Sequence, residues 1–174
     1  TGTSFRQALG FMELVVGLYV TMIWEKPSPS VPTQGRYYDV FEYMFVFAKG
    51  KIGNANLICD RKNTRPGVVS RKESWITAEK RKYKKGKRVV GKYSRRFNVW
   101  GVPAVSNRDF NHPASFPEAL ARDHIISWSS PGDIVLDPFC GSGTTLKMAK
   151  ENGRSYIGID ISQEYCELSQ RRVN

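Results

Sequence analysis

One stretch, Ile134-Val-Leu-Asp-Pro-Phe-Cys-Gly-Ser-Gly-Thr-Thr145, leaves this chain few ways to fold. Ile134 to Asp137 reads as a short buried strand, and Gly141 and Gly143 remove side chains where the backbone must turn sharply. Thr144 to Asn152 reads as a helix closed by Gly153. Tyr156-Ile-Gly-Ile-Asp160 is the next strand, and Ser162 is a candidate N-cap for a last helix reaching Arg172. Strand, glycine loop, helix and strand make half of a nucleotide-binding unit, so the expected fold class is α/β and Rossmann-like.

The same residues suggest a ligand. A helix starting after a glycine loop offers backbone N–H groups to a carboxylate or another electron-rich group. Asp160 follows Asp137 by twenty-three residues and ends the adjacent strand, where it can accept hydrogen bonds from two ribose hydroxyls. The loop has two glycines rather than the three of the dinucleotide fingerprint, and no phosphate-binding lysine follows Gly143. A nucleoside cofactor without phosphates is therefore favoured over NAD or ATP. On these residues alone, a purely structural turn also fits the loop, and Phe139 and Ile161 also fit an ordinary core.

The rest of the chain divides by composition. Residues 1–50 read as helix, strand, turn and strand, with Leu18 to Trp24 and Tyr43 to Ala48 rich in β-branched and aromatic residues. Three prolines between Lys26 and Pro32 exclude regular structure there. Residues 51–108 are polar, glycine-interrupted and without a sustained period, an excursion from the core. Residues 109–174 return to α/β rhythm. Pro117 stands where a first helical residue should, and Leu120, Ala121, His124, Ile125 and Trp128 can share one face.

Charge is concentrated in the middle region. Lys and Arg exceed Asp and Glu by 27 to 16, and ten of those cations fall between Lys80 and Arg96 without one acid. Such a segment suits a polyanion such as nucleic acid, or a solvated loop. Three cysteines and two histidines supply neither a disulfide framework nor a metal cluster, and they point to a reducing, cytoplasmic setting. The apolar run Leu14 to Trp24 is too short to span a bilayer.

The run from Val135 to Thr145 resembles the cofactor motif of DNA amino-methyltransferases. His112-Pro-Ala-Ser-Phe-Pro117 is similar to a second cofactor-contacting segment in their β-group. Phe41 to Lys49 resembles the strand preceding their target-recognition region, and the order of parts is the permuted order of that group. The resemblance implies a Rossmann-like methyltransferase fold using S-adenosylmethionine. It assigns Asp137, Pro138, Phe139, Gly141, Gly143 and Thr144 to the cofactor, with Thr144 near its carboxylate. Asp160 would hold the ribose, Ile161 would pack on adenine, and His112, Phe116 and Pro117 would form the opposite wall. It makes residues 51–108 a target-recognition insert for double-stranded DNA. Lys80, Arg81, Lys82, Lys84, Lys85, Lys87, Arg88, Lys92, Arg95 and Arg96 would meet phosphates, and Tyr83, Tyr93 and Phe97 would stack on a base or anchor the insert. Trp100 is expected to anchor the insert to the domain.

One expected part is missing. The family's Ser/Asp/Asn-Pro-Pro-aromatic motif is absent, since the sequence contains no Pro-Pro pair. In the β-group order it would lie upstream of Thr1 together with a strand or two, leaving an incomplete central sheet and an exposed edge prone to self-association. The expectation is therefore a fragment of a site-specific methyltransferase acting on cytosine N4 or adenine N6, with a restriction–modification role implied by the family alone. A non-catalytic remnant that binds DNA and cofactor, and an RNA methyltransferase, are the alternatives.

Overall fold

The computed structural model describes residues 3–14, 16–28, 35, 37–51, 55–71, 87–103 and 116–174, with the side chains of 70, 71, 87 and 88 left outside that description. These residues form two compact units, Thr1–Asn56 with Asn98–Asn174, and Leu57–Phe97.

In the larger unit, helix α1 (Thr3–Glu13) precedes strands β1 (Gly17–Glu25) and β2 (Phe41–Ala48), which pair antiparallel from Gly17↔Ala48 to Glu25↔Phe41. The third strand of this sheet comes from far along the chain: β7 (Val99–Gly101) lies parallel to β1, with Trp24 opposite Trp100. Trp100 is therefore a core residue of this unit, packed with Met22, Trp24 and Leu120. The sheet pairing through which it enters that core is one a three-residue strand cannot announce through periodicity. Trp24 Nε1 donates to the Val102 carbonyl at 2.8 Å, so its one polar atom is satisfied in the core.

Helix α2 (Glu118–Trp128) packs on both halves of the unit. Its Leu120 joins the tryptophan cluster, while Ala121 and Ile125 meet Met148, Ala149 and Val135. His124 Nδ1 accepts from Trp128 Nε1 at 3.2 Å, and Nε2 faces Met44 Sδ at 3.1 Å. Burial lowers the histidine's pKa. The helix starts one residue later than the sequence suggests: Pro117 is its N-cap, and the Pro117 carbonyl accepts from Leu120 and Ala121.

Ser130 to Asp133 forms the expected turn, with Ser130 N donating to Asp133 Oδ2 at 2.7 Å. Strand β8 (Ile134–Asp137), helix α3 (Thr144–Glu151), strand β9 (Ser155–Gly158) and helix α4 (Gln163–Val173) follow in the predicted order, with β9 ending at Gly158, two residues before the expected Asp160. Ser162 caps α4 by accepting from the Tyr165 N–H at 3.4 Å. The parallel pair β8–β9 covers one face with α3; on the other, Ile134, Leu136, Ile157 and Ile159 are exposed.

The smaller unit has no buried apolar residue among its described residues. Short ladders hold it: β3 (Arg61–Lys62) with β6 (Tyr93–Ser94), and β4 (Val69–Arg71) with β5 (Lys87–Val89). Arg96 pairs with Asp60, and the Arg61 guanidinium lies 4.3 Å from the Phe97 ring centre.

Candidate functional site

The carboxyl ends of β8 and β9 meet beside the glycine loop, which is where open α/β sheets bind ligands. The ladder continues past both strands, with Ile159 N donating to the Asp137 carbonyl and Cys140 N to the Ile159 carbonyl, each at 2.9 Å. Gly141 and Gly143 adopt φ of 48° and 80°, the left-handed region that glycine tolerates. At Gly143 a second demand applies, because an added Cβ would stand 2.8 Å from Ser169 Cβ and 3.0 Å from Ser169 Cα.

Asp160 holds this loop from the neighbouring strand end. Its Oδ2 accepts from Gly141 N at 2.8 Å and its Oδ1 from Ser162 N at 2.9 Å. Asp137 Oδ1 accepts from Phe139 N at 3.0 Å, forming an Asx-type turn through Pro138. Phe139 is 86% exposed and Ile161 fully so, which removes the ordinary-core reading for both. Each stands one or two residues from an aspartate, giving the loop two carboxylates and two apolar side chains in water.

Other expected residues occupy different settings. Thr144 is buried, and its Oγ1 accepts from Arg172 Nη1 at 3.1 Å. Phe116 is half-buried against the clusters on both sides of α2, and Pro117 is buried as the helix cap. His112 lies outside the described residues. Cys140 is buried under Gly158 and Leu146, and burial raises its thiol pKa, which suits packing rather than nucleophilic work.

The sequence reading missed a polar network behind the loop. Arg172 Nη1 also donates to the Ser142 carbonyl (3.3 Å) and hydroxyl (3.0 Å), and Nη2 donates to Glu118 Oε1 at 2.7 Å. Lys147 Nζ reaches the same Glu118 oxygen at 2.8 Å. The hydrogen bond from Lys147, more than that from Arg172, keeps the Glu118 carboxyl below its ordinary pKa against the opposing effect of burial. The sequence carries little signal for it: Arg172 lies one helical turn after Ser169, but nothing in the sequence marks that face of α4 as buried.

Of the ten cations expected to face a polyanion, Lys80, Arg81, Lys82, Lys84 and Lys85 lie outside the described residues, as does Tyr83. Lys87 and Arg88 lie on β5, and their side chains are not described. Lys92 sits 5.6 Å from the Tyr93 ring, the Arg95 carbonyl accepts from Arg61 Nε at 3.2 Å, and Arg96 is engaged with Asp60. Among the described residues no helix is long and apolar enough to cross a membrane. An open cleft of about 420 Å³ lined by Phe47, Lys49, Trp128 and Asp133 borders the opposite end of β8 from the loop.

Comparison with known proteins places the chain among relatives. A family model described as DNA methylase matches residues 5–171. The orphan methyltransferase M.BamHII of Bacillus amyloliquefaciens is 49% identical over 181 residues, which cover 99% of this chain and 68% of that protein. The DNA adenine methyltransferase YhdJ of Escherichia coli is 48% identical over 80 residues, 44% of this chain and 27% of that one. Among solved structures, the cytosine-N4-specific PvuII DNA methyltransferase superposes with a TM-score of 0.71 at 20% identity, covering 100% of this chain and 57% of that chain. A complex of M1.HpyAVI with SAM superposes at 0.65 with 24% identity, covering 100% and 71%. The fold is thus the Rossmann-like fold of S-adenosylmethionine-dependent methyltransferases.

Proposed function

The chain belongs to the DNA methylase family, and from that premise we propose that it binds S-adenosylmethionine at the carboxyl ends of β8 and β9. It serves the transfer of a methyl group to an exocyclic amino group in DNA, cytosine N4 or adenine N6. The observation that carries the reading is the glycine loop flanked by Asp137, Asp160, Phe139 and Ile161. When bound, S-adenosylmethionine supplies an activated methyl group on its sulfonium sulfur.

The residues present suit that molecule. A carboxylate oxygen accepts more than one hydrogen bond, so Asp160 can receive ribose hydroxyls while it grips the Gly141 and Ser162 N–H groups. Phe139 and Ile161 offer apolar surface to the flat adenine. Helix α3 begins at Gly143 without a side-chain cap, which favours a carboxylate at its first turn. The cofactor has no phosphate, and the loop has no lysine placed to meet one.

The basic segment within the smaller unit, Leu57–Phe97, would hold DNA mainly through phosphates, which give affinity and register but no sequence choice. The relatives include proteins named for adenine and for cytosine N4, so both bases remain within the proposal. Methylating an amine conjugated to its ring requires base extrusion and fixed acceptors on the amine hydrogens. The Pro-Pro motif that provides them in the family is absent from this sequence.

The test is two-part. The chain is incubated with radiolabelled S-adenosylmethionine, and retention is measured with and without unmethylated mixed-sequence DNA. Cofactor retention that weakens in Asp160→Asn, without label entering DNA, is the expected result. Label in N4-methylcytosine or N6-methyladenine would instead locate catalytic groups within these 174 residues. Failure to retain the cofactor sinks the reading.

A further inference from the structure

We infer that Arg172 is a positioning residue for the methionine end of the cofactor site, locking the glycine loop to the start of α2 through Glu118. The inference rests on the S-adenosylmethionine reading above.

Three observations carry it. First, one guanidinium joins, from behind the loop, two segments of the proposed site. Nη1 holds Ser142 and Thr144, at the end of the loop and the first residue of α3, while Nη2 holds Glu118. Glu118 directly follows Phe116 and Pro117, the segment assigned to the opposite wall. Two stretches more than twenty residues apart are thereby fixed to one planar fork, which a lysine could not reproduce.

Second, the arrangement decides what Thr144 can do. Its Oγ1 accepts from Arg172, so the hydroxyl's own hydrogen is left to be donated elsewhere. A hydroxyl committed as donor suits a carboxylate acceptor. Third, the charge is placed against the stability of the helix. Arg172 brings a cation to the N-terminal end of α3, where the macrodipole disfavours one. Its side chain is only 10% exposed, and Lys147 adds a second cation to the same Glu118 carboxylate. Lys147 is also shared with Glu151 at 3.8 Å, so it is the Arg172 cation at that helix end that would favour an anionic ligand group.

The experiment compares two ligands on the full chain, at a temperature well below unfolding. S-adenosylhomocysteine carries the amino-acid end; 5′-methylthioadenosine lacks it. In Arg172→Lys the dissociation constant for S-adenosylhomocysteine should rise on the order of tenfold, and further in Arg172→Met, since the fork joining Glu118 to Ser142 and Thr144 is removed. The constant for methylthioadenosine should change less than about twofold, because Asp160 and Ile161 remain in place. A merely structural arginine would weaken both ligands together or neither, and either result overturns the inference. If the unaltered chain binds neither ligand, or if Asp160→Asn leaves both constants unchanged, the cofactor reading itself fails and takes this inference with it.

Discussion

Replacing Gly143 by alanine tests whether the loop is held by backbone conformation alone or also by its seat on α4. Gly143 has φ of 80°, and a left-handed L-residue costs about 1–2 kcal/mol. Its new methyl would also stand 2.8 Å from Ser169 Cβ and 3.0 Å from Ser169 Cα. Only the first of those contacts is a side chain, so rotation cannot relieve the crowding. Overpacking of this kind costs roughly 1–3 kcal/mol more, for a sum of about 2–5 kcal/mol, a large share of a small domain's stability. Gly132→Ala is the control: its φ is 89°, yet nothing lies within 4 Å of the added Cβ, so only the conformational cost of about 1–2 kcal/mol applies. Urea unfolding of both variants, read from midpoints at unchanged slope, gives the difference. Ser169→Gly in the Gly143→Ala background should recover part of the loss, measured as a coupling energy because glycine in α4 has its own cost of about 1 kcal/mol. Equal losses at the two glycines, or zero coupling to Ser169, would refute the packing argument.

Other consequences can be measured on the same chain. Phe139→Ala and Ile161→Ala should leave the urea midpoint within about 0.5 kcal/mol of the original, since exposed side chains contribute little to folding. Each should nevertheless weaken S-adenosylmethionine by several-fold; unchanged affinity would remove them from the site. His124 has its pKa lowered by burial, so the unfolded chain binds a proton first on acidification. The stability it contributes is complete above about pH 6.5 and is lost as pH falls below that value towards the folded pKa. A midpoint that does not fall across that window, or falls identically in His124→Gln, contradicts the assignment. Neutralising Lys84, Lys85, Lys87 and Arg88 should reduce the slope of log binding constant against log salt by about 0.9 for each phosphate that no longer meets a cation. An unchanged slope removes that segment from the DNA interface.

The strand–loop–helix–strand run was legible because its signals are local: two glycines at a turn, a β-branched strand before them and a helix closed by Gly153 after. The expected burial of that strand was not met, since Ile134 and Leu136 are exposed. Asp160 was legible for the same reason, being fixed by spacing along one α/β unit. Its second task, gripping Gly141, was not, since a carboxylate's choice between ligand and backbone depends on tertiary distance. Phe139 and Ile161 were ambiguous between core and surface, because an apolar residue after a strand fits either. Arg172 and Glu118 stayed hidden because they are partners across 54 positions, and each resembles a solvated charge on its own helix. The parallel pairing of β7 was equally silent: three residues are too few to show a period.

Two apolar side chains standing in water beside the glycine loop have a thermal consequence. Removing Phe139 and Ile161 from solvent on ligand binding gives a negative heat-capacity change, the most robust mark of apolar burial. Enthalpy and entropy of binding will then trade places as temperature changes. The apolar part of that affinity weakens on cooling, while the hydrogen bonds of the ribose end follow a different course. A calorimetric series over temperature would therefore separate, within one ligand, the share held by carbon from the share held by charge.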